Sequence, residues 1–127
     1  MLLLQKPYTM KKVAFLALTI LLFFTSCKKD NVDPDLAFTN NLTEGTANAS
    51  GEYTITGHIS SEIKLAKVVL TVEGQNTPFL VDESTASNKL EYDFSYLVTG
   101  VTANTYIIID VYDQDGGKIS SRFLIRK

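Results

Sequence analysis

Apolar and polar side chains alternate one by one through most of the chain after residue 51, and this alternation restricts the fold more than any other feature. A two-residue period places the apolar side chains on one face of an extended strand, and β-branched and aromatic residues fill these positions. The alternating segments are residues 53–59, 68–72, 79–81, 90–96, 107–111 and 119–125. With a further short segment at residues 36–39, the pattern predicts about seven strands in an all-β domain.

Two stretches between these segments need separate interpretation. Residues 40–51 are rich in Asn, Thr, Ser and Gly, and this composition predicts a long turn. Residues 60–70 begin like a helix at Ser61, but the β-branched pair Val68 and Val69 favours a strand, so a strand is the preferred interpretation.

The amino-terminal residues have the layout of a secretory signal peptide. A basic pair at residues 11–12 is followed by an apolar run at residues 13–24 and by two small residues before Cys27. A membrane-spanning helix needs about 20 apolar residues, so this run is too short to be one. Met10, directly before the basic pair, is a more natural start than Met1.

The four residues Phe24, Thr25, Ser26 and Cys27 resemble the lipobox of bacterial lipoproteins. In that family the cysteine receives a diacylglycerol, becomes the amino terminus after cleavage, and is often acylated again. The resemblance implies that Cys27 is the lipid-attachment residue, and two or three acyl chains anchor a protein firmly where one gives only marginal binding. Lys28, where an Asp would favour the inner membrane, implies sorting to the outer membrane, with the periplasmic or surface side left open.

These features divide the chain into three parts. We expect a signal peptide at residues 1–26, a lipidated cysteine with a flexible tether at residues 27–35, and one domain at residues 36–127. The start of the mature chain is similar in composition to lipoproteins of the Bacteroidota. About 100 mature residues suffice for a single hydrophobic core, and the one cysteine leaves no intramolecular disulfide to support it.

The mature part is acidic, which excludes some classes of partner. It contains all 14 acidic residues but nine of the 12 basic ones, a net charge of −5. It therefore lacks the clustered lysines and arginines that nucleic acid or anionic lipid headgroups require. We expect no nucleic-acid partner, and membrane contact through the lipid on Cys27.

Residues 100–117 resemble the end of bacterial immunoglobulin-like or fibronectin type III-like domains, in which a strand that starts with Tyr leads to an Asp-Gly hairpin and a last strand. The resemblance extends over residues 36–127 and implies a single immunoglobulin-like β-sandwich of about seven antiparallel strands. It makes Tyr106 the candidate for a tyrosine corner. Tyr106 shares parity with Ile108 and not with Ile107, so either a bulge lies near Ile108 or the corner is absent.

Catalytic groups are sparse in the mature sequence. His58 is the one histidine, and the alternation places it on the solvent side of its strand. One histidine and one lipid-bearing cysteine do not make a usual zinc site, and no Gly-x-Ser-x-Gly elbow is present. The carboxylate pairs at residues 82–83 and at Glu91 with Asp93 would need a cleft to hydrolyse a glycoside. We therefore expect no enzyme, no cofactor and no metal site.

A group of aspartates in one loop has two interpretations. Asp110, Asp113 and Asp115 precede Gly116 and Gly117 and supply the hard oxygen ligands that calcium takes. A Gly pair after Asp between two strands is first of all a hairpin turn, because Gly adopts positive φ without strain. The hairpin is preferred, and calcium binding is left open.

Exposed aromatic platforms, the usual basis of carbohydrate sites, are few. The chain has no Trp, and the alternation places Tyr53, Tyr92 and Tyr96 on core faces and Tyr112 outward. The basic residues of the last strand, 118–127, would protect an edge from pairing.

The preferred hypothesis is a protein secreted across the inner membrane, a lipoprotein with a non-enzymatic immunoglobulin-like module that binds a protein or glycan partner or acts as a spacer. The alternative is a carbohydrate-binding accessory lipoprotein of a glycan-uptake system, and a small envelope hydrolase comes third.

Overall fold

Residues 32–127 are the part of the chain that the computed structural model describes. The predicted signal peptide, the predicted start at Met10 and the predicted lipid-attachment residue Cys27 lie outside these residues. Within residues 32–127, no helix has the length and apolar character needed to cross a membrane.

Eight strands form between residues 32 and 127, joined by turns and a single-turn 3₁₀ helix at Thr39–Asn41. They are β1 (Asp35–Phe38), β2 (Glu44–Thr46), β3 (Tyr53–Ser60), β4 (Leu65–Val72), β5 (Leu80–Asp82), β6 (Glu91–Val98), β7 (Thr105–Asp113) and β8 (Lys118–Arg126). The strands make two sheets, and the fold is an all-β immunoglobulin-like sandwich, as predicted.

The strand order is β1-β3-β6 in the three-stranded sheet and β2-β8-β7-β4-β5 in the five-stranded sheet. Neighbouring strands are antiparallel except β2 and β8, which run parallel with Glu44 opposite Leu124. Because β2 lies within residues 40–51, the prediction of a long turn over the whole of this stretch is wrong. Three residues, one of them glycine, are too few to show an alternation, and β2 depends on its pairing with β8.

Two other strand predictions have definite outcomes. β4 begins at Leu65, so the strand interpretation of residues 60–70 is correct for the second half, and residues 61–64 form the connection. The basic strand β8 is an edge only from Lys118 to Phe123, because β2 pairs with its last three residues, Leu124 to Arg126. The edge expected for the last strand is therefore shorter than predicted.

The interior is built from the inward faces of both sheets. Ile107, Ile109 and Val111 of β7 are fully buried, which confirms the predicted face of that strand, and Ile55 and Ile59 of β3 oppose them from the other sheet. Burying one such side chain contributes roughly 1.5–3 kcal/mol. The remaining core residues are Leu65, Val68, Leu70, Ala86, Phe94, Tyr96, Val98, Val101, Phe123 and Ile125.

Gly57, in the middle of β3, makes room for aromatic rings between the sheets. A Cβ atom at this position would lie 2.6 Å from the ring of Phe94 and 2.5 Å from the backbone oxygen of Ala37. Phe94 meets Phe38 edge to face, with ring centroids 6.4 Å apart, and Phe38 meets Phe123 at 5.1 Å. The missing side chain thus allows the aromatic contacts that link β1, β6 and β8.

The domain begins earlier than the predicted boundary at residue 36. Pro34 is fully buried, and Asp35 begins β1 opposite Ser60. The end of the segment predicted as a tether therefore belongs to the sandwich. The cause is that Asp35 occupies an outward position of the strand, where a polar residue is normal and gives no strand signal.

A buried carboxylate connects the two sheets. Asp82 at the end of β5 is 8% exposed, and its Oδ2 accepts a hydrogen bond of 2.7 Å from the Tyr96 hydroxyl of β6. Its oxygens also accept hydrogen bonds from the backbone of Ser84 and Thr85 and from the Thr85 hydroxyl. Burial alone would raise the pKa of Asp82, but these donors outweigh it and lower the pKa to about 2. Burial, and to a smaller extent the same contact with Asp82, raises the pKa of Tyr96.

We expect Asp82→Asn to lower the free energy of unfolding by about 1–2 kcal/mol at pH 7, because a depressed carboxylate pKa is itself a stability contribution. That contribution is present above the unfolded-state pKa near 3.8 and is lost as the pH falls through about 2. Urea unfolding followed by circular dichroism, at pH 7 and at pH 2, measures the difference. Glu83→Gln, which changes the exposed neighbouring carboxylate, is the control and should change neither value.

A loss of equal size at both pH values would contradict this assignment, because it would show that the charge of Asp82 does not contribute.

Candidate functional site

The outward side chains of β4, β7 and β8 form a surface that we call the aromatic face. Strand alternation turns Tyr106, Ile108, Asp110 and Tyr112 of β7 away from the core residues between them. The register places these four beside outward residues of β4 and β8, namely Lys67, Val69, Thr71, Lys118, Ser120, Arg122 and Leu124. Two phenol rings and several charged groups therefore share one open sheet surface.

Tyr106 lies at one end of the aromatic face and is 38% exposed. The guanidinium carbon of Arg122 lies 3.5 Å from the centroid of its ring, a cation–π contact. Arg122 donates from Nε to Glu73 at 2.7 Å and from Nη2 at 3.1 Å, and this hydrogen-bonded pair raises the pKa of Arg122. These residues and Asn104 line a depression of about 300 Å³. The arrangement offers a ring, a fixed cation and a carboxylate side by side.

The outward position of Tyr106 decides between the alternatives for the tyrosine corner. β7 pairs with β8 residue by residue from Thr105 to Tyr112, and Tyr106 faces outward with Ile108. The tyrosine-corner assignment implied by the family resemblance is therefore wrong. The sequence already indicated the outward position, because Tyr106 has the parity of Ile108.

Tyr112 lies at the other end of the aromatic face, on the outward side that its parity predicts. Its ring lies between two lysines, with Lys67 Nζ at 5.0 Å and Lys118 Nζ at 5.3 Å from the ring centroid. Lys118 Nζ is also 3.8 Å from Asp110 Oδ1, which accepts a hydrogen bond from Ser120. This end of the face therefore combines an aromatic ring with two ammonium groups.

His58 lies on the outer face of the three-stranded sheet and is exposed, as predicted. Its Nδ1 is 2.6 Å from Asp93 Oδ1, and its Nε2 is 3.7 Å from Glu91 Oε1. The hydrogen bond with Asp93 raises the pKa of His58, and the charge of Glu91 adds to this effect. The structure thus brings together three of the residues singled out in the sequence, on an open sheet surface.

The aspartates considered for calcium are separated by the alternation of β7. Asp110 faces outward, whereas Asp113 faces inward and is 3% exposed. Asp113 Oδ1 accepts hydrogen bonds from the backbone of Asp115 at 2.9 Å and of Gly117 at 2.7 Å, which closes the β7–β8 hairpin. Gly116 has a φ of 88°, as a hairpin turn requires. Residues 32–127 contain no group of three His, Cys, Asp or Glu side chains placed to hold a metal ion.

The other residues considered have separate positions. Asp82 is buried in the contact between the sheets, while Glu83 beside it is exposed. Tyr96 is buried, and Tyr53 and Tyr92 are partly buried against the core, as their alternation predicts.

We expect Asp93→Asn to lower the pKa of His58 toward its ordinary value, because the closest carboxylate is then neutral. Glu91→Gln should lower it less, since Glu91 is farther away, and Glu83→Gln should leave it unchanged. An NMR titration of the His58 ring measures all three values.

A raised folded-state pKa also means that the pair of His58 and Asp93 stabilises the fold below about pH 6.5 and loses this contribution as the pH rises through the folded-state value. An equal shift in the first two variants would contradict the assignment of Asp93 as the main partner.

Comparisons with known proteins support the fold and do not identify a family. No protein-family model matches the chain, and no curated protein matches it. Among solved structures it is similar to the fibronectin(III)-like modules of CbhA from Clostridium thermocellum, with a TM-score of 0.52 and 22% sequence identity. The alignment covers 75% of this chain and 46% of that structure, so the chain spans about half of its length. At this identity the similarity establishes a fibronectin type III-like sandwich and carries no ligand or partner.

Proposed function

We propose that this chain is an envelope-anchored lipoprotein whose immunoglobulin-like sandwich is a non-enzymatic binding or spacer module. The observation that carries the proposal is the aromatic face, where phenol rings, ammonium groups and a guanidinium are held on an open sheet surface. Such a surface suits contact with a partner, whereas catalysis usually needs reacting groups converging in a cleft. The fibronectin type III-like fold of the domain agrees with a module of this kind.

The anchoring part of the proposal rests on the lipobox-like residues Phe24 to Cys27. Val32, the first described residue, is the fifth residue after Cys27, and an extended chain covers at most about 3.6 Å per residue. A lipid on Cys27 would therefore hold the sandwich by the end at which β1 begins. Lys28 directly after the cysteine favours the outer membrane.

We expect intact-mass analysis of the membrane fraction to find a species that begins at Cys27 and carries two or three acyl chains. The Cys27→Ala variant should lose this species, because no other thiol is present to accept a diacylglycerol. Ser26→Ala, which keeps a small residue before the cysteine, is the control and should be lipidated normally. A soluble, unacylated product from the wild type would overturn the anchor.

A carbohydrate-binding accessory lipoprotein is the second candidate, and Tyr106 is the observation that favours it. Its exposed ring lies beside Arg122 and Glu73, whose hydrogen-bonding groups suit hydroxyl-rich ligands. Tyr112 lies six residues along the same strand, about 20 Å away at roughly 3.4 Å per residue. The two rings would suit an extended oligosaccharide.

If this second candidate is correct, a glycan array should show a hit whose affinity falls about tenfold or more in Tyr106→Ala, because the ring contact is lost. Titration calorimetry with the array hit measures the change. Phe79→Ala, at an exposed aromatic residue outside β7, is the matched control and should bind normally. Binding that is unaffected by Tyr106→Ala would exclude this face as the glycan site.

A further inference from the structure

The outer faces of the two sheets differ in charge. Within residues 32–127, the lysines and arginines that lie in strands all belong to the five-stranded sheet, and they are Lys67, Lys118, Arg122 and Arg126. The strands of the three-stranded sheet contain Asp35, Glu91 and Asp93 as charged residues, together with His58. We call the outer side of the three-stranded sheet the acidic face. One molecule thus presents an acidic face on one side and a face with more basic than acidic strand residues on the other.

The charged rows of the two faces lie at the same end of the sandwich. The end row of the acidic face is formed by Asp35, Ser60 and Glu91. The end row of the aromatic face is formed by Lys67, Tyr112 and Lys118. β3 ends and β4 begins at a common end of the sandwich, because only residues 61–64 connect them. Two copies standing side by side in the same orientation therefore bring the acidic row of one level with the lysine row of the next.

We propose that copies of this chain associate laterally on the membrane, the aromatic face of one copy against the acidic face of the next. This proposal rests on the lipid anchor proposed above, which holds every copy by the same end. The contact uses a different patch on each partner, so it repeats from copy to copy and does not close as a two-fold dimer. The half-buried Tyr112 ring and the ammonium groups of Lys67 and Lys118 meet the carboxylates of Glu91 and Asp93.

The acidic face is small, and its size favours a contact with a neighbouring copy anchored in the same membrane over a contact between free molecules. Three strands about 4.8 Å apart and eight residues of about 3.4 Å each give a face of roughly 400 Å². A stable complex in solution buries about 800 Å² per partner, so the contact is weak for free molecules. Anchoring raises the effective concentration of neighbouring copies, and a weak contact then suffices.

Single cysteines on the two faces test the arrangement, since an acylated Cys27 has no free thiol. We use the purified lipidated protein in phosphatidylcholine vesicles with a bis-maleimide cross-linker. Ser60→Cys lies in the acidic row, and Ser120→Cys lies beside the lysine row. We expect no dimer from either variant alone, a dimer from their mixture, and a ladder of trimers and longer species from the double variant. Dimers from Ser60→Cys alone would indicate a two-fold contact and overturn the proposal.

Charge reversal in the double-cysteine protein tests the chemistry. Lys67→Glu with Lys118→Glu makes both faces acidic, and Glu91→Lys with Asp93→Lys makes both basic, so each change should reduce the ladder about tenfold or more. A mixture of the two proteins should restore the cross-links, which also shows that both are folded. The matched control, Lys64→Glu with Lys127→Glu, changes charge outside the strands and should leave the ladder unchanged.

Cross-links that persist unchanged through both reversals, or that are absent in acylated protein, would overturn lateral association. The mass of the same sample reports acylation separately. An unacylated wild-type protein would overturn the anchor. In that case, cross-linking of the charge-reversal mixture at high concentration in solution still tests whether the two faces bind each other.

Discussion

The burial of one face of every long strand is the constraint on which the rest of this structure depends. Ile55 and Ile59 from one sheet share a buried core with Ile107 and Ile109 from the other, and the single cysteine of the chain offers no intramolecular disulfide to support this packing. Each inward position also fixes its neighbours as outward. The aromatic face and the acidic face are therefore fixed by the core, and a one-residue slip in a strand would turn its core side chains to solvent and its outward side chains into the interior.

The predictable part of the fold is the part that local pattern controls. The alternation identifies the inward side chains of β3, β6 and β7 because each strand is long enough to show a period. β2 is not predictable in this way, since its three residues are held by β8, about 80 residues away in the sequence. The contact of Asp82 with Tyr96 joins residues 14 apart in the sequence and on different sheets, and a carboxylate beside Glu83 in an acidic chain gives no sign of being buried.

The parity of a residue within its strand predicts most of the outward side chains at the candidate site. Tyr112 and His58 are outward because of their position in the alternation, and the same count places Tyr106 outward, against the corner that the family resemblance implies. Asp110 and Asp113 are three residues apart in one strand, so they face opposite sides and do not form a cluster. The contact of Arg122 with Tyr106 and Glu73 needs β8, β7 and the turn after β4 side by side, which no local pattern provides.

The parallel pair of β2 and β8 has a mechanical consequence. The chain enters the sandwich at one end and leaves β8 at the other, while the backbone of Ala47 donates to Arg126 at 2.8 Å and that of Leu124 donates to Thr43 at 3.0 Å. If the amino-terminal end is held and a partner pulls on the far end, β2 and β8 are drawn past each other along their length. Hydrogen bonds that run across the strands then bear the tension together in shear, instead of opening one after another as in a peeled hairpin.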